Sequence, residues 1–167
     1  MAMRKQPITK DEAMSRLAGL CARSEQCEFD LNRKMVSWGL SAADRKDVIE
    51  YLKENRFLDD SRYAASYTGD KAKFSAWGPI KIKMELSKRR INTTLITEAL
   101  KNIDQQVWKE GLMRCAVSKA KNLDLLGEDG RPNCQKLYRF LIGRGFPSSA
   151  SSRAVAFMRK SQEENKG

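Results

Sequence analysis

Two neighbouring carboxylates and two groups of lysines and arginines are the parts of this 167-residue sequence best suited to chemistry. Asp59 and Asp60 stand side by side in "ENRFLDDSRYAASY". Adjacent carboxylates serve as a catalytic pair, a metal clamp or helix-start caps. The chain contains no histidine, which removes Ser-His-Asp and Cys-His catalysis and most zinc sites. No cysteine or third acid is placed to complete a set around the pair, so the capping role is the one expected. With Asp59 as N-cap, Leu58 and Tyr63 take the staple positions, and Asp60 at N1 favours the helix dipole.

The cations carry more. In "KAKFSAWGPIKIKMELSKRR", Lys71, Lys73, Lys81, Lys83, Lys88, Arg89 and Arg90 face Glu85 alone. Arg139, Arg144 and Arg153, with Arg159 and Lys160, form a second group nearer the C-terminus. Lys plus Arg total 32 against 21 acids, a net charge of +11. A surplus of that size suits nucleic-acid phosphates or acidic protein surfaces. Arg144, between Gly143 and Gly145, is expected at a helix end from which a guanidinium can reach an outside partner. On the helix after Pro79, Lys81 and Lys88 are expected toward solvent with Arg89 beside them, and Lys83 and Arg90 flanking the buried stripe. Trp38 reads as core; Trp77, near a turn, is equally suited to core packing or base stacking.

The remaining chemistry is negative. Cys21, Cys27, Cys115 and Cys134 form no C-x-x-C pair and read as reduced, mostly buried thiols of a cytoplasmic protein. There is no phosphate-binding glycine loop and no metal-ligand spacing. The N-terminus lacks a signal-like apolar segment, and no apolar run approaches the ~20 residues that span a bilayer. A non-enzyme without a cofactor or membrane anchor is expected, because no acid, base and nucleophile come together.

Helices must position these charges. Thr9 with Glu12 makes a capping box ahead of Ala13, Leu17, Leu20 and Cys21. Ser24 is expected to cap a second helix with Cys27, Leu31, Met35 and Trp38 inward and Gly39 as its stop. Ser41 with Asp44 opens a third, burying Val48, Ile49 and Leu52. After Asp59 come Tyr63, Tyr67 and Phe74 as an inward stripe, with Gly78 ending that helix and Pro79 starting the next. Ile82 and Leu86 then face inward. Asn92 or Thr93 caps a helix with Ile96, Leu100 and Ile103, and another carries Trp108, Leu112, Cys115 and Ala116. "LLGEDGRPN" reads as a linker. Helices with Leu137, Phe140 and Leu141, then Ala154, Val155 and Met158, complete the chain, and "SQEENKG" is expected to fray.

The pattern repeats. Met35, Leu86 and Leu141 are spaced by 51 and 55 residues. Four residues before each lies Leu31, Ile82 or Leu137; five after, Leu40, Ile91 or Phe146. Gly39, Arg90 or Gly145 precedes that apolar plug. Such units stack because one alone buries little surface. The expected fold is all-α: three tandem three-helix repeats in an elongated, curved array. The units cover residues 9–56, 57–104 and 105–160, between flexible segments 1–8 and 161–167.

"FLDDSRYAASYT", "WGPIKIKMELSKRRI" and "LYRFLIGRGF", with "CARSEQCEFDLNRKMVSWGL" as the opening segment, resemble the RecX family of bacterial recombination regulators over roughly residues 10 to 160. Arg90 departs from it, standing where the family usually has glycine; Cys27 and Phe29 replace commoner polar residues. The resemblance implies a non-enzymatic protein that binds the RecA recombinase in its filament on single-stranded DNA and inhibits its ATPase and strand exchange. A monomer touching protein and DNA through basic faces is expected. Two other readings fit the residues: a stand-alone basic DNA- or RNA-binding helical protein, and an adaptor solenoid that takes an acidic protein tail.

Overall fold

The computed structural model describes residues 8–167, so the expected flexible segment 1–8 lies, except for Ile8, outside the described residues. Among them are nine α-helices and no strand: α1 (Lys10–Arg23), α2 (Glu28–Ser37), α3 (Ala42–Glu54), α4 (Asp60–Lys73), α5 (Pro79–Lys88), α6 (Thr93–Lys101), α7 (Gln105–Ala120), α8 (Gly130–Gly143) and α9 (Ser148–Lys166).

Three apolar cores account for the arrangement. The first gathers Ala13, Leu17, Leu31, Met35, Leu40, Val48, Ile49, Leu52 and Leu58. The second is built on Ala64, Ala72, Ile82, Leu86, Ile91, Ile96 and Ala99. The third holds Ala116, Ala120, Leu125, Leu137, Leu141, Phe146 and Ala154. Each core is closed by three consecutive helices. The segment leading into a middle helix also lends a residue to the next core. Cys27, before α2, is buried in the second cluster, and Ala76, before α5, in the third.

The repeat extends to the backbone. At the ends of α2, α5 and α8 the plug N–H of Leu40, Ile91 or Phe146 donates to the carbonyl of Met35, Leu86 or Leu141, at 3.2 Å in all three. The preceding residue donates to the carbonyl three back: Gly39 to Val36, Arg90 to Ser87, Gly145 to Ile142. Those residues have φ of +82°, +57° and +91°. This is the Schellman closure, in which a left-handed residue satisfies the last helical carbonyls. It sends the chain sharply back and drives the plug into the core.

Several local expectations are corrected. Ser24 closes α1, its N–H donating to Leu20; the N-cap of α2 is Cys27, whose side chain makes no capping bond. Leu58 packs in the first core and Tyr63 against the second. α4 ends at Lys73, ahead of Gly78, because Ala76 turns left-handed at φ +48° and Trp77 N–H reaches back to Lys71 O at 3.0 Å. Phe74 is consequently 80% exposed rather than inward. The C-terminal end, expected to fray, stays helical to Lys166. Gln162 accepts from Leu125 N–H and donates to Leu123 O, both at 2.9 Å, clamping the expected linker to α9.

Candidate nucleic-acid and partner interface

The paired aspartates do two different jobs. Asp59 caps its own helix, accepting from Ser61 N–H at 2.8 Å and Arg62 N–H at 3.1 Å. Asp60 looks the other way and accepts from Glu28 N–H at 3.3 Å, so it supplies the cap that Cys27 cannot give α2. Burial pushes the Asp60 carboxyl above its ordinary value, with the Glu28 amide partly offsetting it. Burial likewise pushes the Cys27 thiol up to about 11, so it stays protonated and unreactive at neutral pH.

The basic residues sort into three kinds. Arg89 and Arg144 are structural. Arg89, with its side chain only 26% exposed, reaches from α5 to Asp30 on α2 at 3.3 Å and to Glu85 at 3.3 Å, and lies 5.3 Å from the Tyr67 ring. It does not point to solvent as Lys88 beside it does. Arg144 turns inward too: its guanidinium donates to the Ser75 and Ala76 carbonyls, so it braces the α4–α5 segment instead of reaching outward. Around it the backbones meet. Gly78 N–H donates to Arg144 O at 2.7 Å and Ile80 N–H to Gly145 O at 3.0 Å. A side chain on Gly145 would overlap Lys81, and one on Gly78 would overlap Gly145.

Lys71, Lys81, Lys88 and Arg90 are tethered at the surface. The ammonium groups of Lys71 and Lys81 lie 4.8 and 4.1 Å from the centroid of Trp77. That cation–π contact is worth about 0.5–2 kcal/mol per pair. Lys88 pairs with Glu85 at 2.7 Å. That bond holds the Glu85 carboxyl below its ordinary value, against the opposing effect of burial. Arg90 stays exposed with its guanidinium 5.4 Å from the Phe29 ring.

Lys73, Lys83, Arg139 and Arg153 are exposed and make no ion pair among the described residues. Lys83, expected to flank the buried stripe, is exposed on α5 near the exposed Ile80 and Met84. Arg159 and Lys160 pair with Glu163 and Glu164 along α9. Sequence reasoning missed Arg114, which donates to Lys73 O at 2.7 Å and ties α7 to the end of α4. Its lone position gave no signal, because the partner is a main-chain carbonyl 41 residues away.

The middle unit is shared with known proteins. Residues 59–100, which hold α4, α5 and nearly all of α6, match the family model described as RecX, second three-helix domain. Among curated proteins, the chain is 37% identical to a regulatory protein RecX of Clostridium botulinum over 99 residues, 59% of this chain and 46% of the relative. It is 36% identical to that of a second Clostridium botulinum strain over 124 residues, 74% of this chain and 58% of the relative.

The chain belongs to the RecX family.

It spans about half the length of those clostridial RecX proteins. Against the RecX of Actinobacillus pleuropneumoniae serotype 5b it is 27% identical, and the match covers 83% of this chain and 87% of that one. The fold is that of solved RecX structures. A crystal structure of regulatory protein RecX superposes with a TM-score of 0.73 over 91% of this chain and 71% of that one, at 24% identity. RecX from Lactobacillus salivarius does so with 0.73 over 89% and 96%, at 19% identity. No described helix is long and apolar enough to cross a membrane.

Proposed function

We propose that this RecX-family chain is a non-enzymatic, monomeric regulator that binds the RecA recombinase in its filament on single-stranded DNA and lowers its ATPase and strand-exchange activities. Its modules would be residues 9–56, 57–104 and 105–160. The observation that carries the reading is the division of labour among the cations. Arg89 and Arg144 fix the spacing of the stacked units, while Lys73, Lys83, Arg139 and Arg153 stay exposed and uncommitted to any carboxylate among the described residues. A rigid array with charges on its outside can meet a repeating polyanion at several points at once, without chemistry of its own.

The test is a RecA ATPase assay on single-stranded DNA with the chain added in increasing ratio. Turnover is expected to fall as the chain reaches stoichiometry with RecA; unchanged turnover in excess rejects the proposal. The rival reading, a stand-alone nucleic-acid binder, predicts tight and sequence-selective binding to naked DNA. The spread of exposed cations over several helices, rather than on one recognition helix, weighs against it.

A further inference from the structure

The cationic residues chosen from the sequence leave out Lys101 and Lys109, and these two have their own setting. Between α7 and α9, next to the α6 end, an open groove of about 410 Å³ runs over Trp108, Leu112, Phe146 and Ala150. A second depression of about 410 Å³ continues it past Met113 and Ala154 to Phe157. The two share Lys109, Leu112, Ala150 and Arg153, so they form one trough along the third unit. Phe157 is 58% exposed at its far end. Trp108 and Leu112 are half-buried, each keeping part of its apolar surface in water.

The rim has one sign. Lys101, Lys109 and Arg153 border the trough, and no carboxylate is among the described residues that line it. None of the three cations takes an ion-pair partner among the described residues. Elsewhere on α9, by contrast, Arg159 and Lys160 are neutralised by acids of the same helix.

An apolar floor bordered by unpaired cations has the complementary features of an acidic amphipathic peptide. A nucleic-acid strand would use the rim but leave the aliphatic floor of Leu112, Ala150 and Ala154 unfilled. A second copy of this chain, carrying net +11, would bring like charge to like.

We propose that the α7–α9 trough is a docking site for an acidic protein segment that seats two apolar side chains, spaced by one helical turn, on Trp108, Leu112 and Ala150 while its carboxylates pair with Lys101, Lys109 and Arg153. The site goes beyond the filament reading and stands or falls separately: the chain can fail to inhibit RecA and still bind such a peptide.

The experiment uses the full chain and a fluorescein-labelled helical peptide with Phe and Leu at i and i+4 among glutamates, followed by anisotropy. Two control peptides replace the glutamates by lysine or the Phe and Leu by serine. The acidic amphipathic peptide is expected to bind at least tenfold more tightly than either control. Lys109→Glu and Arg153→Glu are each expected to weaken it about tenfold. Ala150→Arg, which fills the floor without removing a rim charge, is expected to weaken it by a similar factor. Circular dichroism melts of the variants confirm that each still folds.

Equal binding of the serine control, or undiminished binding by the folded Ala150→Arg variant, would overturn the proposal in favour of a purely electrostatic surface. Absence of any binding at millimolar peptide, or concentration-dependent dimerisation that masks the trough, would overturn it as well.

Discussion

Asp60 shows how much a single carboxylate can do once the chain has folded. It sits in the first turn of α4 yet satisfies the first amide of α2, so removing its oxygen leaves a helix-start N–H without a protein acceptor. Asp60→Ala is expected to lower stability by about 1 kcal/mol, the usual worth of such a bond. Asp60→Asn keeps an oxygen in place and relieves the buried charge, so it is expected to be at least as stable as the unaltered protein at pH 7.

The pH dependence has a definite sign. Burial raises the folded-state pKa of Asp60 above its unfolded value, so protonation favours the fold. That contribution is fully present below the ordinary carboxylate range and is lost as pH rises through the folded pKa. Any margin of Asp60→Asn over the unaltered protein must therefore narrow on acidification. Urea unfolding at pH 7 and at pH 4 reads this, and an Asp60→Asn variant less stable than Asp60→Ala at pH 7 would contradict the capping role.

At the scale of elements, the three helix-closing turns share a geometry but not a burden. Arg90 tolerates its left-handed backbone in an exposed position, with a compensating contact to Phe29. Gly145 has no such freedom: besides φ +91°, any β-carbon there would run into the Lys81 backbone, where α5 starts against the α8–α9 turn. Gly145→Ala is expected to cost about 2–4 kcal/mol, combining left-handed strain with overpacking. Gly19→Ala is its counterpart. It lies inside α1 with nothing within 4 Å of the added methyl, and is expected to stabilise by about 0.5–1 kcal/mol. Thermal or chemical unfolding of the two variants side by side checks both signs. The glycine before the plug was legible in the sequence as a helix stop in the first and third units. That the one at Gly145 also joins two units was not, because the neighbour at Lys81 is 64 residues distant in the chain.

For the whole molecule, the decisive variable is which cations remain available to a partner. Lys73→Glu, Lys83→Glu and Arg139→Glu combined change exposed groups whose side chains hold nothing together among the described residues. On the proposed function, the triple variant keeps its melting temperature within a few degrees while its affinity for single-stranded DNA and for RecA filaments falls at least tenfold. The slope of log affinity against log salt should flatten by about 2–3, near 0.7 for each single-strand phosphate that the protein ceases to neutralise. Co-sedimentation across a salt series measures both quantities, and unaltered binding would move the interface elsewhere on the surface. Arg144 would mislead such a survey, since weaker binding on its removal follows equally from a disturbed junction between α5 and the α8–α9 turn.

The sequence by itself determined the helices, the threefold recurrence and most of the inward residues, Phe74 excepted. These depend on spacing within one turn or one repeat: Leu31, Met35 and Leu40 reappear as Ile82, Leu86 and Ile91 and as Leu137, Leu141 and Phe146. It also determined the family and the excess of positive charge. Only the tertiary structure decided what each charge does. A guanidinium reaches several ångströms from its own backbone, and whether Arg89 finds Asp30 or Arg144 finds the Ser75 carbonyl depends on how separate units dock. The trough beside α9 is of the same kind, for its floor is shared by residues from α7, α9 and the turn before α9, which periodicity along one helix cannot bring together.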